Sequence, residues 1–172
     1  MRININYVLD GVCEKWAKEV NSKISKLTEN EIDFSGGTCM PHITLLMGEI
    51  NEKDLPQIKK LLMGFKSNAL GKKIEFSKPY INDTYVFVDV KEVAPFKEDC
   101  DNVLKLLSGL IVPHKYTISS GNTPHVTLGY TKQPNDIKGY LKTIQNVPST
   151  VLQGIKVSKT GAHGTVVSTA SK

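Results

Sequence analysis

No apolar run in this sequence approaches the roughly 18 residues that a membrane-spanning helix needs, so no membrane partner is expected. The first residues, MRININYVLDG, are too few and too polar for a signal peptide and read as a strand, which makes the cytoplasm the default location. Cysteine is scarce: Cys13, Cys39 and Cys100 are scattered and odd in number, with no C-x-x-C pair. That argues against a disulfide framework and against a structural zinc site. Neither G-x-x-x-x-G-K-[ST] nor G-x-G-x-x-G occurs, so neither nucleotide-driven ligation nor hydride transfer is indicated. Arginine is nearly absent. Arg2 stands alone, and any phosphate clamp would have to use lysines or backbone amides.

What is present suits one soluble domain spanning 1–172. The 172 residues are 40% hydrophobic, enough for a core, and the charged share of 23% is ordinary. A net charge of +5, with lysines dispersed along the chain, is compatible with an anionic partner without specifying one.

Strand-like and helix-like stretches alternate. Ile5–Leu9 reads as a strand. Val12, Trp16, Val20, Ile24 and Leu27 recur at helical spacing and predict a helix from about Gly11 to Thr28. PHITLLMG follows as a strand, then a helix through Leu55, Ile58, Leu61, Leu62 and Phe65. KIEFS and TYVFVDV read as strands. Phe96, Cys100, Val103, Leu104, Leu107 and Ile111 predict a third helix, stopped by Pro113. PHVTLGY is another strand, and Ile137, Tyr140, Leu141 and Ile144 mark a fourth helix. VLQGIKVSKTG and GTVVSTA then form a hairpin about TGAHG. The order predicts an α+β fold: two half-domains, each with a mainly antiparallel sheet and flanking helices, around a central cleft.

One phrase occurs twice. Phe34–Leu45 (FSGGTCMPHITL) and Ile118–Leu128 (ISSGNTPHVTL) align with one gap, pairing Thr38 with Asn122 and placing His42 and His125 83 residues apart. A five-residue pattern this specific starts at a given position with odds on the order of one in a million, so the second copy is a duplication. Because strand side chains alternate, His42 and Thr44 share one face while Ile43 and Leu45 share the other. His125 and Thr127 are split in the same way from Val126 and Leu128. An approximate two-fold axis would bring two imidazoles and two hydroxyls to one groove.

That set suits cleavage of a phosphodiester without metal. One imidazole deprotonates the attacking oxygen and the other protonates the leaving oxygen, which predicts a bell-shaped pH profile. Thr44 and Thr127 can donate to non-bridging phosphate oxygens, and the Ser/Gly turns before each motif can add backbone N–H groups. Competing readings are weaker. A zinc site would need a third ligand, and no carboxylate lies within either H-x-T-L core. Cys39 has no counterpart in the second copy, which favours packing over a nucleophilic role. His114 reads as a surface residue. His163, Tyr130 and Lys132 are secondary candidates for contact with a base or phosphate.

With HITL at 42–45 and HVTL at 125–128, the chain resembles the two-histidine phosphoesterases, and within them the bacterial 2′-5′ RNA ligase-like cyclic phosphodiesterases. PHITLLMGEINEKDLPQI, PHVTLGY and VSKTGAHGTVV extend the likeness over nearly the whole chain. The resemblance implies one domain of two pseudo-symmetric lobes with the site between them. It also implies no cofactor, His42 and His125 as the acid/base pair, and Thr44 and Thr127 as phosphate-binding hydroxyls. The implied activity is hydrolysis of a 2′,3′-cyclic phosphate or 2′-5′ linkage in RNA or a small nucleotide, with possible reversal as ligation. The alternatives are a protein that binds a nucleotide or RNA end without turnover, and an enzyme that cuts cyclic oligonucleotide signals. Which histidine is the acid, and the oligomeric state, stay open at the level of sequence.

Overall fold

The computed structural model describes residues 1–37 and 39–167. The chain opens with β1 (Arg2–Val8), α1 (Gly11–Leu27), the short β2 (Cys39–Met40), β3 (His42–Ile50) and α2 (Leu55–Met63). Next come β4 (Lys73–Ile74), β5 (Tyr80–Asn82), β6 (Tyr85–Asp89), α3 (Ala94–Leu106) and β7 (Ile111–Pro113). β8 (His125–Tyr130), α4 (Lys138–Thr143), β9 (Thr150–Val151), β10 (Gly154–Thr160) and β11 (Val166–Val167) complete the described elements.

Strands β2-β11-β10-β1-β3-β8-β6-β5 lie side by side in that order, β7 adds to β3, and β4 pairs with β9 separately. Each strand pairing is antiparallel. The expected pair of lobe sheets is thus continuous, but only just. β3 and β8 meet at the single residue pair Ile43↔Val126, the centre of each repeated motif. Outward from that pair run β3, β1 and β10 on one side and β8, β6 and β5 on the other. The C-terminal hairpin β10–β11 therefore joins the lobe built by the first half of the chain, a long-range pairing that local patterning does not reveal.

Helices α1 and α3 pack on the core face of this sheet, and each reaches across the junction. Asp10 caps α1 by accepting from the Cys13 N–H at 2.9 Å. The buried face of α1 is Cys13, Ala17, Val20, Asn21 and Ile24, whereas Val12 and Leu27, which share the helical spacing, are exposed. Asn21 is the informative member. Its Nδ2 donates to Ile32 O at 2.8 Å and to Leu128 O at 2.9 Å, tying the first helix to the second motif strand. On the other side Phe96 of α3 meets Tyr7 of β1 edge-on, with ring centroids 5.3 Å apart.

The third helix ends earlier than its periodicity predicts. It stops at Leu106, Gly109 turns the chain at φ 78°, and Ile111–Pro113 becomes a strand against β3. Leu107 and Ile111 are buried as expected, but they serve two elements. Gly48 makes that pairing possible: a Cβ there would lie 2.5 Å from Val112 O and 2.7 Å from Ile111 Cγ1. Of KIEFS, only Lys73 and Ile74 form a strand. The predicted closing hairpin is present through Val167; the end of GTVVSTA, and Thr38 in the first motif copy, lie outside the described residues.

Candidate active site

Both motif strands carry the same irregularity at the same place. Along β1–β3 the register jumps from Ile5↔Leu46 to Asn6↔Thr44, leaving Leu45 extra. Along β6–β8 it jumps from Val86↔Gly129 to Phe87↔Thr127, leaving Leu128 extra. A bulge shifts the inside–outside alternation by one residue. Accordingly both copies bury the second, fourth and fifth positions: Ile43, Leu45 and Leu46 in one, Val126, Leu128 and Gly129 in the other. His42, Thr44 and Met47 thus share the face away from the buried core with His125, Thr127 and Tyr130. The leucine in H-x-T-L is the bulged residue, which gives its repetition a structural cause.

Antiparallel pairing at Ile43↔Val126 sets Thr44 across from His125, and His42 across from Thr127. The two histidines then stand on the diagonal of that pairing, about 7–8 Å apart at the backbone. Thr44 and His125 line a common small cavity of about 40 Å³ with Met47, Asn122 and Thr123. A larger cavity of about 440 Å³ opens on the other side of His42, bounded by Met40, Leu62, Met63, Lys59 and Lys156.

Both rings are held in the same way. His42 Nδ1–H donates to Met40 O at 2.9 Å, and His125 Nδ1–H donates to Thr123 O at 2.8 Å. In each case the acceptor lies two residues back, across a proline whose φ is fixed, so Pro41 and Pro124 preset the carbonyl that orients the ring. Bonding through Nδ1 leaves Nε2 as the proton-accepting nitrogen of each neutral ring; that of His42 lies 3.3 Å from Asn4 Nδ2, and that of His125 has no hydrogen-bond partner among the described residues.

The environments then differ. Burial pushes the His42 imidazole down to about 4, with a smaller contribution from the positive charge His125 can carry, while the Met40 carbonyl opposes the shift. Burial also lowers His125, but the Thr123 carbonyl and the Asp89 carboxylate work against it. Asp89 is the register partner of His125 on β6, and Tyr80 donates its hydroxyl to that carboxylate, 3.0 Å from Oδ2 and 3.1 Å from Oδ1. The Phe87 ring lies 4.1 Å from the His125 ring. One imidazole is thereby biased toward the neutral form, and the other keeps a carboxylate close by. Such a pair can take a proton at one point and deliver one at another.

Of the sequence candidates, Thr44 accepts from Asn4 Nδ2 at 2.9 Å, and Thr127 has no side-chain hydrogen bond among the described residues. Tyr130 and His163 are brought together, stacked with centroids 4.0 Å apart, and Tyr85 meets Tyr130 edge-on at 4.8 Å. His163, at φ 54° in the β10–β11 turn, also bonds Glu31 Oε2 at 2.9 Å. Lys132 is engaged as well, 3.0 Å from Glu31. Cys39 is half-buried with its thiol pushed up by burial, which fits packing and not a thiolate. The turn before the first motif (Ser35, Gly37) lies beside α1, whereas Asn122 and Thr123 of the second turn border the Thr44–His125 cavity. Only the second turn is near the site. Among the described residues, no three of His, Cys, Asp and Glu gather as a metal-ligand set.

Sequence reasoning missed Asn4, Tyr85, Phe87 and Asp89. The available signal was period two. Asn4 and Asn6 interrupt an Ile/Tyr/Val strand at alternate positions, and Tyr85, Phe87 and Asp89 alternate with the fully buried Val86 and Val88.

Comparison with known proteins gives a consistent placement. The ns2 PDE domain of MHV matches with a TM-score of 0.61 at 14% identity, covering 92% of this chain and 99% of that one. TT0787 of Thermus thermophilus matches with a TM-score of 0.57 at 18% identity, covering 96% of this chain and 93% of that one. These likenesses establish a shared fold. No curated protein matches significantly. A family model described as the 2′-5′ RNA ligase superfamily matches residues 17–154, most of the chain, including both H-x-T-L motifs. The chain belongs to the 2′-5′ RNA ligase superfamily, the two-histidine phosphoesterases whose paired motif it carries.

Proposed function

We propose that the protein is a metal-independent phosphodiesterase that hydrolyses a 2′,3′-cyclic phosphate or a 2′-5′ phosphodiester in RNA or a small nucleotide. The observation that carries this reading is the pair of imidazoles fixed through Nδ1 by matching carbonyls, on one sheet face, in unequal electrostatic surroundings. Family membership adds weight, because phosphodiester chemistry is common to that superfamily.

In this mechanism neutral His42 takes a proton from the attacking water through Nε2 as the water oxygen bonds to phosphorus. Protonated His125 delivers its Nε2 proton to the departing ribose oxygen. Thr44 and Thr127 donate to the non-bridging oxygens, where charge accumulates in the transition state. The aromatic side chains Tyr85 and Phe87, with Tyr130 and His163, form a wall beside His125 against which a base can stack. We propose that the enzyme is a single two-lobed domain of the cytoplasm.

The test is turnover of 2′,3′-cyclic mononucleotides and 2′-5′ dinucleotides in excess EDTA. The pH profile of kcat/KM is expected to peak on the acid side of 6.5. Activity should rise as pH climbs through about 4, where His42 becomes neutral, and fall as His125 loses its proton, which burial sets below the ordinary value of 6.5. Asp89→Asn is expected to move the falling limb to lower pH and leave the rising limb in place. A profile still climbing at pH 8 would contradict the assignment of roles.

A further inference from the structure

The amide of Asn4 is fully buried in the strand beside the first motif, yet its bonding is lopsided. Nδ2 donates to Thr44 Oγ1 at 2.9 Å and lies 3.3 Å from His42 Nε2 and 3.4 Å from Gly164 O. Oδ1, by contrast, is buried without a hydrogen-bond partner among the described residues. An orphaned buried acceptor costs free energy, and such groups in native proteins call for an explanation. The opposite orientation would give Oδ1 the Thr44 hydroxyl as a donor, but it would set two oxygens, Oδ1 and Gly164 O, against each other. Every near neighbour of Nδ2 can act as an acceptor, and two of the three belong to the motif.

We propose that Asn4 is a positioning residue that aims the Thr44 hydroxyl at the substrate and holds His42 in its neutral, proton-accepting form. The proposal rests on the catalytic reading of His42 and Thr44. Thr44 Oγ1 already accepts from Asn4, so its own hydrogen is free to point into the cleft toward a phosphate oxygen. Thr44 Oγ1 takes one Nδ2 hydrogen at 2.9 Å; the other, on the longer 3.3 Å approach to Nε2, is compatible with the lone pair of neutral imidazole and opposes an Nε2–H until the attacking water replaces that contact and gives its proton to Nε2. Asn4 therefore penalises premature protonation of the base by geometry, in the direction that burial also acts.

The other strand of the same sheet contrasts with this one. By register Asn4 corresponds to Tyr85 on β6, Asn6 to Phe87, and Val8 to Asp89. The His125 side thus has aromatic rings and a carboxylate where the His42 side has two amides and a valine. Asn6 continues the network away from the ring, its Nδ2 donating to Asn4 O at 3.1 Å and to Ser158 Oγ at 3.1 Å. Titratable groups around His42 come from several elements: His125 on β8, and Lys156, Lys59 and Glu14 along the 440 Å³ cavity. Among the described residues none of their side chains hydrogen-bonds the His42 ring. Among the described residues, Asn4 is the one hydrogen-bonding neighbour of its Nε2.

The experiment compares wild type, Asn4→Asp, Asn4→Leu and His42→Ala for kcat/KM against pH, using 2′,3′-cyclic AMP and a 2′-5′ diadenosine monophosphate. Imidazole titration by NMR is followed in the same proteins without substrate. Asn4→Asp replaces the donor with an acceptor and is expected to raise the pH at which His42 titrates, and with it the rising limb, by more than one unit. Asn4→Leu is expected to lower kcat about tenfold, through the misaimed Thr44 hydroxyl, with a smaller effect on KM.

If both variants keep the wild-type rate and rising limb while His42→Ala is inactive, the Asn4 proposal fails and the catalytic reading stands. If His42→Ala is as active as wild type, the catalytic reading itself fails. Should the Asn4 variants not fold, the wild-type NMR decides. A His42 ring in the Nδ1–H tautomer that protonates well below 6.5 supports the proposal, and an Nε2–H tautomer overturns it.

Discussion

His42→Ala and His125→Ala are each expected to lower turnover of the cyclic or 2′-5′ substrate by about 10²- to 10⁴-fold, the usual range for a general acid or base. Both rings are on the face away from the buried core, and each is bonded through Nδ1 to the carbonyl two residues earlier, just before its strand begins. Removing a ring therefore frees one carbonyl near a cleft and leaves Ile43↔Val126 and the core residues Leu45 and Leu128 untouched. Melting temperatures close to wild type should accompany the loss of activity. The double variant should be little worse than the poorer single one, because the two groups act in one step. Circular dichroism and a product-mass assay in EDTA are sufficient to check this. Two single variants that both retain wild-type turnover would eliminate the two-histidine mechanism.

The second large effect concerns stability. Asp99→Ala is expected to destabilise the protein by about 3–5 kcal/mol, measured by urea unfolding. Asp99 on α3 is fully buried and joins three separate parts of the chain. It accepts from the Tyr7 hydroxyl of β1 at 2.6 Å, from the Asn68 N–H at 2.6 Å and from the Ala69 N–H at 3.2 Å, and it also accepts from the Ser67 hydroxyl. Burial and the carboxylate together push the Tyr7 phenol far up, so Tyr7 is a pure donor. Truncation would leave several buried donors without an acceptor, each at roughly 1–3 kcal/mol before relaxation. Tyr7→Phe removes one bond and is expected to cost only about 1 kcal/mol. Because this cluster lies on the helix side of the sheet, activity per folded molecule should not change. A loss below about 1 kcal/mol for Asp99→Ala would show that the network contributes little.

The candidate site was legible in sequence to the extent that it was written twice. His42, Thr44, His125 and Thr127 stood out because the same residues recur in the same order, and alternation assigned them to one face. The bulge at Leu45 and Leu128 was not legible. It depends on pairing with β1 and β6, although its mark, two consecutive buried positions after the threonine, appears in both copies. Asn4, Tyr85, Phe87 and Asp89 went unnoticed for the same reason: each acquires its meaning from the strand beside it, about 40 residues away in sequence.

The fold shows a similar division. Helices α1, α2 and α3 and the motif strands were placed by period and caps, which are local. The end of α3 was misplaced because Leu107 and Ile111 keep helical spacing while Gly109 breaks the backbone between them. The return of β10 to β1, the exchange of helices between lobes, and the single-pair junction all rest on contacts between distant segments. Asn21 illustrates the limit: a polar residue on the buried face of a helix makes sense only once Leu128 O is seen as its acceptor.

Two imidazoles acting in opposite charge states on one phosphorus atom form the core of this account, and a crystal structure with bound inorganic phosphate or an uncleavable 2′-5′ phosphorothioate addresses it directly. The expected result is one anion with oxygens within hydrogen-bonding reach, about 2.6–3.2 Å, of both His42 Nε2 and His125 Nε2, and with Thr44 and Thr127 on its non-bridging oxygens. An anion held by one ring alone, or seated away from both, would contradict it.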